Sequence, residues 1–228
     1  MKNLATILIL FCASVFAQQK GTFTDPRDGK VYKTVKTGEQ TWLAENLNYE
    51  AEGSVCYENN PANCAKYGRL YNWETAKKVC PKGWHLPSNA EWDKLLRFVN
   101  GDTGTKWDKL LRFVNGDKGT KSPYGGKTAG KYLKAANGWN YYSGIENLDT
   151  YGFSALPGGA SFPYCDVNCY PGCSFSGVGY LGGWWSTNEY KHALGDFAYY
   201  RGMGYGSDNA SWQRDSNHDL RSVRCLQD

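Results

Sequence analysis

The chain has 228 residues, a length that suits one domain with a sizeable hydrophobic core. Lysine and arginine number 26, and aspartate and glutamate 22, so the formal net charge is only +4 at pH 7. No run of basic residues is dense enough to form the clustered positive face of a nucleic-acid-binding protein. The composition therefore predicts a single globular domain that does not bind nucleic acid.

The first 17 residues have the pattern of a cleavable secretory signal. Lys2 provides the positive start, residues 4–16 form the apolar run, and Val15 and Ala17 place short side chains before the expected cleavage point. The run is shorter than the roughly 20 apolar residues that a membrane-spanning helix requires. We therefore expect residues 18–228 to form an exported, soluble domain, secreted or held at the cell surface, without a membrane span.

Cysteine usage also indicates an oxidising compartment. One of the 8 cysteines, Cys12, leaves with the signal, so 8 − 1 = 7 remain in the mature chain. Because this number is odd, one thiol is free or pairs between molecules, and the others are expected to form disulfides. Proximity within a Pro- and Asn-rich loop predicts a Cys56–Cys64 bridge. A later group lacks the spacing of a zinc site and is expected to form disulfides of undefined pairing: Cys165, Cys169 and Cys173.

The first part of the mature chain carries the signals of β-hairpins followed by two helices. Residues 22–47 alternate apolar and polar side chains around two turn sequences, which predicts hairpins. A first helix ending before Pro81 is predicted by apolar residues at helical spacing: Leu70, Trp73, Ala76 and Cys80. A capping box of Ser88 and Glu91 begins a second helix, which ends at Asn100. Its buried stripe is predicted to be Trp92, Leu95, Leu96 and Val99.

A tandem repeat begins within this second helix. Residues 92–106 recur as residues 107–121, and the two copies differ only at Thr103 and Lys118. Two units are too few for a repeat fold, which needs at least about three units to bury a continuous core. We therefore expect a single domain over residues 18–228, in which the first copy occupies the native helix position because it alone follows a capping box.

The rest of the chain is rich in Gly, Asn, Ser, Tyr and Trp, with long loops between short strand-like segments. Strands are predicted within residues 151–156, 184–187, 197–201 and 221–226. Helices near the front and a loop-rich antiparallel sheet behind them predict an α+β fold rather than an α/β fold.

Four segments of the sequence, taken together, are typical of one protein family. They are GTFTDPRDGKVYKTVKTGEQTWLAENLNY, GRLYNWETAKKVCPKGWHLPSNAEW, YGFSALPGG and SVRC. In combination they resemble the Fibrobacter succinogenes major paralogous domain family, from Gly21 to the C-terminus. Members of that family are known mainly as surface or secreted proteins of unassigned function, often in fibre-degrading or gut bacteria.

The family in turn resembles the C-type-lectin-like fold of formylglycine-generating enzymes, whose GxRLPTEAEWE motif is similar to residues 83–92. This resemblance implies two helices, a loop-rich antiparallel sheet and a long disulfide from the first helix to the last strand, here Cys80–Cys225. It indicates a fold more firmly than a function, because one fold can carry many functions.

A formylglycine-generating type of oxidase is one function that the resemblance raises. Such enzymes need a pair of reactive cysteines that binds copper, and the cysteines within residues 165–173 cannot be aligned with that pair. His85 also stands where the shared motif has arginine. The nucleophile-elbow, zinc-protease and phosphate-loop motifs are absent from the sequence as well. We therefore expect a protein that is not an enzyme and needs no cofactor.

A calcium site is a second alternative, because residues 215–219 place oxygen-bearing side chains at alternate positions. An EF-hand loop needs glycine after its third ligand and a later bidentate glutamate, whereas Leu220 and Val223 follow here. The sugar-binding motifs EPN, QPD and WND of lectins with this fold are absent too. The segment is therefore predicted to be a solvated polar loop without a metal.

Aromatic residues are the remaining functional signal, with 9 Trp and 17 Tyr. Most are expected to fill the core, because each ring buries a large apolar area. Lectin-like domains present ligands on the long loops after their second helix, and loops on a rigid scaffold commonly carry function. Exposed rings on those loops could stack on sugars. The predicted ligand-binding residues are Trp185, Asn188, Tyr205 and Trp212.

The sequence thus predicts a non-catalytic extracellular binding or adhesion module, with polysaccharide as the expected ligand. Two alternatives stay open: an oxidase of the formylglycine-generating type, and a structural surface protein whose partner is another protein. Copper-dependent oxidation of a cysteine-containing peptide would favour the first, and a partner protein recovered from a cell surface would favour the second.

Export predicts a defined N-terminus. Signal peptidase requires short side chains at two positions before the cleavage point. At the end of the apolar run, only cleavage after Ala17 meets this requirement, so exported protein should begin at Gln18. N-terminal sequencing of protein collected outside the cytoplasm measures this. Met1 retained in that material would contradict the prediction.

Overall fold

The computed structural model describes most of the expected mature domain, in four ranges: residues 19–100, 128–162, 174–192 and 195–228. Three sequence predictions fall outside the described residues. They are the secretory signal with its cleavage point after Ala17, the second copy of the repeat at residues 107–121, and the pairing of Cys165, Cys169 and Cys173.

The strands of the described residues, in chain order, are β1 (Lys20–Thr24), β2 (Val31–Thr37), β3 (Gln40–Leu43), β4 (Ser54–Val55), β5 (Leu70–Tyr71), β6 (Trp84–His85), β7 (Gly158–Phe162), β8 (Ser174–Val178), β9 (Leu181–His192), β10 (Gly195–Gly204), β11 (Ala210–Ser216), β12 (Arg221–Ser222) and β13 (Leu226–Gln227). The helices are α1 (Pro61–Tyr67), α2 (Trp73–Ala76), α3 (Asn89–Val99) and α4 (Ala129–Leu133), and a 3₁₀ turn covers Tyr57–Asn59.

These strands form a five-stranded sheet in the order β1-β2-β3-β13-β6 and a six-stranded sheet in the order β11-β10-β9-β12-β5-β4, with β7 and β8 as a separate pair. Within the described ranges the strand pairs are antiparallel, apart from the parallel contact of β9 with β12. The fold is thus mixed α and β, with few helices and antiparallel sheets.

The opening hairpins predicted from the sequence are confirmed by β1, β2 and β3. Gly29 and Gly38 lie at the two turns with φ of +74° and +62°, a region that glycine adopts without steric cost. Val35 and Trp42 are paired across the second hairpin, and both side chains are buried. The alternation in the sequence therefore places one face of this hairpin against the core.

The helix α3 begins and packs as its sequence predicts. The Ser88 hydroxyl accepts from the Glu91 N–H at 3.3 Å, and the Glu91 carboxylate accepts from the Ser88 N–H at 2.7 Å, which completes the capping box. The buried residues of the helix are the four that the helical spacing indicated: Trp92, Leu95, Leu96 and Val99. The first copy of the repeat therefore supplies part of the core, as expected.

Two other local predictions are wrong. The helix predicted from Leu70 to Cys80 is instead the strand β5 followed by the single turn of α2, because Asn72 caps that turn by accepting from the Thr75 N–H. Leu70 lies in a ladder with Val55 and Ser222, so its burial reflects a covered strand rather than a helix face. The strand predicted at residues 151–156 is an irregular segment with an isolated bridge at Ala155.

Two disulfides form among the described cysteines, and both pairs were expected: Cys56–Cys64 from proximity in the sequence and Cys80–Cys225 from the family resemblance. Cys56–Cys64 has a sequence separation of 8, and Cys80–Cys225 has one of 145. The long bridge ties the segment after α2 to the C-terminal strands. A cross-link of this span is expected to add about 4 kcal/mol by restricting the unfolded chain.

Aromatic rings make up much of the core. One cluster lies against α3 and centres on Trp92, whose ring centroid is 4.8 Å from that of Trp42 and 6.4 Å from that of Trp184. A second cluster lies around α2 and includes Trp73 and Trp185. Core packing is thus the role of most tryptophans in the described residues, as the sequence indicated.

His85 connects the C-terminus to the start of α3. Its Nδ1 is 2.6 Å from Oδ1 of Asp228, and its Nε2 is 3.0 Å from Oε1 of Glu91. Burial opposes the charged ring, but the hydrogen bonds to Asp228 and Glu91 outweigh it, so the pKa of His85 is raised above its usual value of 6.5. The protonated ring therefore stabilises the folded state.

This contact predicts a pH-dependent stability. A raised folded-state pKa means that the contribution of His85 is fully present below about pH 6.5 and is lost as pH rises through the folded-state value. The unfolding free energy of His85→Gln should therefore fall below that of the wild type by more at about pH 5.5 than at about pH 8.5. Denaturant titrations at both pH values measure it, and Asp228→Asn should reduce the pH dependence in the same direction. An equal deficit at both pH values would contradict this role.

Candidate functional site

A cleft of about 270 Å³ lies on one face of the strands β9, β10 and β11. Its floor includes Gly202 and Gly204 of β10, which lie two residues apart on one face of the strand. Gly202 is paired with Gly183 of β9. A Cβ atom at Gly204 would meet nothing closer than Leu181 Cδ2 at 3.9 Å. At Gly204 the missing side chain therefore leaves open space in the cleft.

Polar groups and the aromatic residues Phe162 and Tyr200 line the cleft above this floor. Tyr200 and Gln213 are paired across β10 and β11, and Ser211 lies on the same face as Gln213. Asn209, the residue before β11, and Arg221 of β12 also line the cleft. The cleft thus combines hydrogen-bond donors and acceptors with an apolar surface.

The guanidinium of Arg221 is the charged element of the cleft. Arg221 is 6% exposed. Its guanidinium forms an ion pair with Asp215 and lies 3.8 Å from the centroid of the Tyr200 ring. It also occupies the space above the floor, because a Cβ at Gly183 would be 2.9 Å from its Nη1 atom. Its buried Nε has no hydrogen-bond partner among the described residues.

A second carboxyl group accompanies this ion pair. Asp219 is buried and hydrogen-bonded to Asp215. Burial, with the hydrogen bond and the charge of Asp215, raises the pKa of Asp219 to about 7, although Arg221 opposes the shift. Near neutral pH the Asp219 carboxyl is therefore protonated for part of the time, beside the ion pair of Asp215 with Arg221.

Three tyrosines, here called the tyrosine rim, lie at one end of the cleft: Tyr142, Tyr180 and Tyr205. The centroid of the Tyr205 ring is 5.2 Å from that of Tyr142 and 5.0 Å from that of Tyr180, and both contacts are edge to face. Tyr142 and Tyr180 are each 47% exposed. The rim adjoins the cleft because Leu181 and Gly204, the chain neighbours of Tyr180 and Tyr205, line it.

A buried lysine holds the backbone between the cleft and the rim. Lys134 is completely buried, and its Nζ donates to the carbonyl oxygens of Gly204 at 3.1 Å and Ser207 at 2.8 Å. Burial lowers the pKa of Lys134 to about 8, although the charge of Asp208 opposes the shift. The turn that carries Tyr205 is therefore fixed from the inside of the domain.

Trp185 does not belong to an exposed ligand face, and its prediction as a stacking ring is wrong. The residue is 0% exposed, its indole N–H donates to the Tyr71 carbonyl at 2.7 Å, and its ring packs edge to face against Tyr200. Its neighbour Trp184 is buried on the other face of the same strand. Both faces of β9 are covered here, so adjacency in the sequence did not leave one ring exposed.

Trp212 and Asn188 also have structural roles. Trp212 alternates with Ser211 and Gln213 along β11 and so points away from the cleft, where Arg201 covers its ring at 3.5 Å and Asp93 accepts its indole N–H at 3.1 Å. The side-chain oxygen of Asn188 accepts from the backbone N–H of Asn89 at 2.8 Å, which ties β9 to the first residue of α3. These two predicted positions therefore contact α3 rather than the cleft.

Tyr205 is the one predicted ligand residue that lies beside the cleft. The sequence interpretation missed Tyr142, Tyr180, Tyr200 and Arg221, together with the glycine floor. A signal for the floor is present in the sequence, because Gly202 and Gly204 are two residues apart in a strand and therefore leave the same face bare.

The segment at residues 215–219, considered above as a calcium loop, turns its carboxyls to Arg221. In the part of the chain that the structure describes, no group of at least three His, Cys, Asp or Glu residues has the arrangement of a metal site. No helix among the described residues is both long enough and apolar enough to cross a membrane.

The cleft and its rim define a candidate binding face on a mixed α and β domain. A model of the Fibrobacter succinogenes major domain matches residues 35–227, and the chain therefore belongs to that family. The match begins within β2, whereas the sequence resemblance was expected from Gly21. No curated protein and no solved structure matches the chain.

Proposed function

We propose that this protein is a non-catalytic extracellular module that binds polysaccharide in the glycine-floored cleft, with the tyrosine rim as a stacking surface. The observation that carries the proposal is the adjacency of the two features. Sugar rings present both hydroxyl groups and apolar C–H faces. The cleft offers amide and hydroxyl groups to the sugar hydroxyls, and the exposed rings of the rim offer surfaces to the apolar C–H faces.

The size of the cleft fits a short stretch of a polymer better than a large cofactor. Its volume of about 270 Å³ lies at or below the lower end of the pockets that hold drug-sized ligands, which span about 300–1,000 Å³. A polysaccharide chain could place one part in the cleft and continue over the rim.

An extracellular location is part of the proposal. The signal pattern of the first 17 residues motivates it, and the two disulfides support it because such bonds persist in oxidising compartments. A C-type-lectin-like scaffold is proposed as well. Its support is the long Cys80–Cys225 bridge and the position of the cleft on strands that follow α3.

A non-catalytic role is favoured by the state of the reactive groups. The cysteines of the described residues are paired in the two disulfides, and those weighed for the oxidase alternative, within residues 165–173, lie outside the described residues. At the cleft, Arg221, Asp215 and Asp219 are engaged with one another. Binding of another protein is the second candidate, because Tyr141 and Leu181, at 86% and 51% exposure, add apolar surface near the rim.

The geometry of the rim predicts which tyrosine rings contribute to polysaccharide binding. Tyr142→Ala and Tyr180→Ala should each weaken polysaccharide binding by about fivefold, because an aromatic contact is worth about 1 kcal/mol. Tyr141→Ala is the matched control, since Tyr141 is the neighbouring, more exposed ring and is not part of the rim. Affinity electrophoresis on a panel of polysaccharides, with EDTA present throughout, measures the difference. Equal losses for Tyr141 and Tyr142 would contradict the proposed site.

A substitution in the cleft floor tests the same site independently in the same binding experiment. Gly204→Leu should abolish binding without loss of fold, because a Cβ at this position meets no backbone and nothing closer than Leu181 Cδ2 at 3.9 Å, and the added side chain would fill the cleft. Wild-type protein that binds no polysaccharide but captures a surface protein through the rim would replace this proposal with the protein-binding alternative.

A further inference from the structure

The charges at the cleft compensate one another. Among the described residues that line it, Arg221 is the only one with a formal charge. Asp215 forms an ion pair with that guanidinium, and Asp219 is hydrogen-bonded to Asp215. The site therefore has no surplus positive charge with which to attract an anionic ligand.

Other cations near the cleft do not supply such a charge. Arg201 and Arg214 belong to β10 and β11 but alternate with the residues that line the cleft, so they lie on the opposite face. Arg201 is buried and pairs with Asp93, and Arg214 lies over the Tyr190 ring at 4.5 Å. Lys134 directs its Nζ to two carbonyl oxygens beneath the turn.

We infer that the cleft selects uncharged polysaccharides over acidic ones, because its one guanidinium is neutralised from within the fold. This inference rests on the proposed function and names the ligand class of the same site. Arg221 lines the cleft while its Nη2 atom is held by Asp215, so a ligand meets a guanidinium whose charge is already compensated. A sugar hydroxyl can accept a hydrogen bond from a guanidinium without bringing a charge.

Because two carboxyls lie near Arg221, its charge should stay compensated when one of them is neutralised. Loss of the charge on Asp215 removes the like charge that favours the neutral form of Asp219. Asp219 then ionises more readily and takes over the compensation of Arg221. A single substitution should therefore leave the selectivity largely intact, whereas neutralising both carboxyls should expose the positive charge.

The first experiment uses the wild-type mature protein. Its binding to neutral polymers (mixed-linkage β-glucan, xyloglucan and galactomannan) is compared with its binding to polygalacturonate at about 0.1 M and about 1 M NaCl, where the Debye length falls from about 10 Å to about 3 Å. We expect binding to at least one neutral polymer, little change with salt, and no measurable binding to polygalacturonate. Preferential, salt-sensitive binding of polygalacturonate would overturn the inference and leave the proposed function standing. No binding to any polymer would overturn both.

The second experiment tests whether removal of both carboxyls makes the cleft bind an acidic polysaccharide. Asp215→Asn with Asp219→Asn should gain polygalacturonate binding by about tenfold at low salt, and about 1 M NaCl should remove the gain. The control combines Glu39→Gln with Glu74→Gln, which changes the net charge equally at exposed positions away from the cleft. Near-ultraviolet circular dichroism verifies the fold of each variant. An equal gain in the control, or none in a folded double variant, would contradict the inference.

Discussion

The buried guanidinium of Arg224 is the interaction on which the rest of the domain depends. Arg224 is 0% exposed, and its two terminal nitrogens donate to oxygen atoms from separate parts of the chain: the carbonyls of Leu43, Phe153 and Ser154 and the side chain of Asn46. Its Nε has no hydrogen-bond partner among the described residues. Burial lowers its pKa to about 9, with the charges of Asp149 and Glu45 opposing the shift. A buried charge without such partners would be strongly unfavourable, so these segments must meet in one geometry.

The segment around Arg224 connects the two large sheets and the site. Ser222 is bridged to Trp184 of β9, and Leu226 is paired with both Trp42 and His85 in the other sheet. Cys225 carries the long disulfide. Arg221, at the start of the same segment, lies in the cleft above Gly183. The position of the proposed site is therefore set by the way the C-terminal segment closes the fold.

Sequence patterns predicted the parts of this fold whose causes are local. The α3 helix was predictable because its capping box and its buried stripe both lie within a dozen residues. The opening hairpins were predictable for the same reason. The β5 strand was not, since Leu70 and Tyr71 are buried by distant strands and a short apolar run has no periodicity that separates strand from helix. The family was recognisable because its motifs act in combination over most of the chain.

The candidate site was harder to predict, because exposure is a tertiary property. Trp185 and Tyr205 both occur in aromatic-rich segments, yet one is completely buried and the other borders the cleft. The cleft itself is lined by residues from several strands, and its position therefore requires the strand register to be known. Arg221 carried no signal in the sequence, because its pairing with Asp215 and its stacking on Tyr200 are set by the C-terminal segment.

The most direct test of this account is the unfolding free energy of Arg224→Met, measured by denaturant titration against Arg214→Met as an exposed control. The account predicts a loss of at least about 3 kcal/mol for Arg224→Met, because several buried carbonyl oxygens would be left without donors. The control should stay within about 0.5 kcal/mol of the wild type. An Arg224→Met protein as stable as the wild type would contradict the claim that this guanidinium organises the domain.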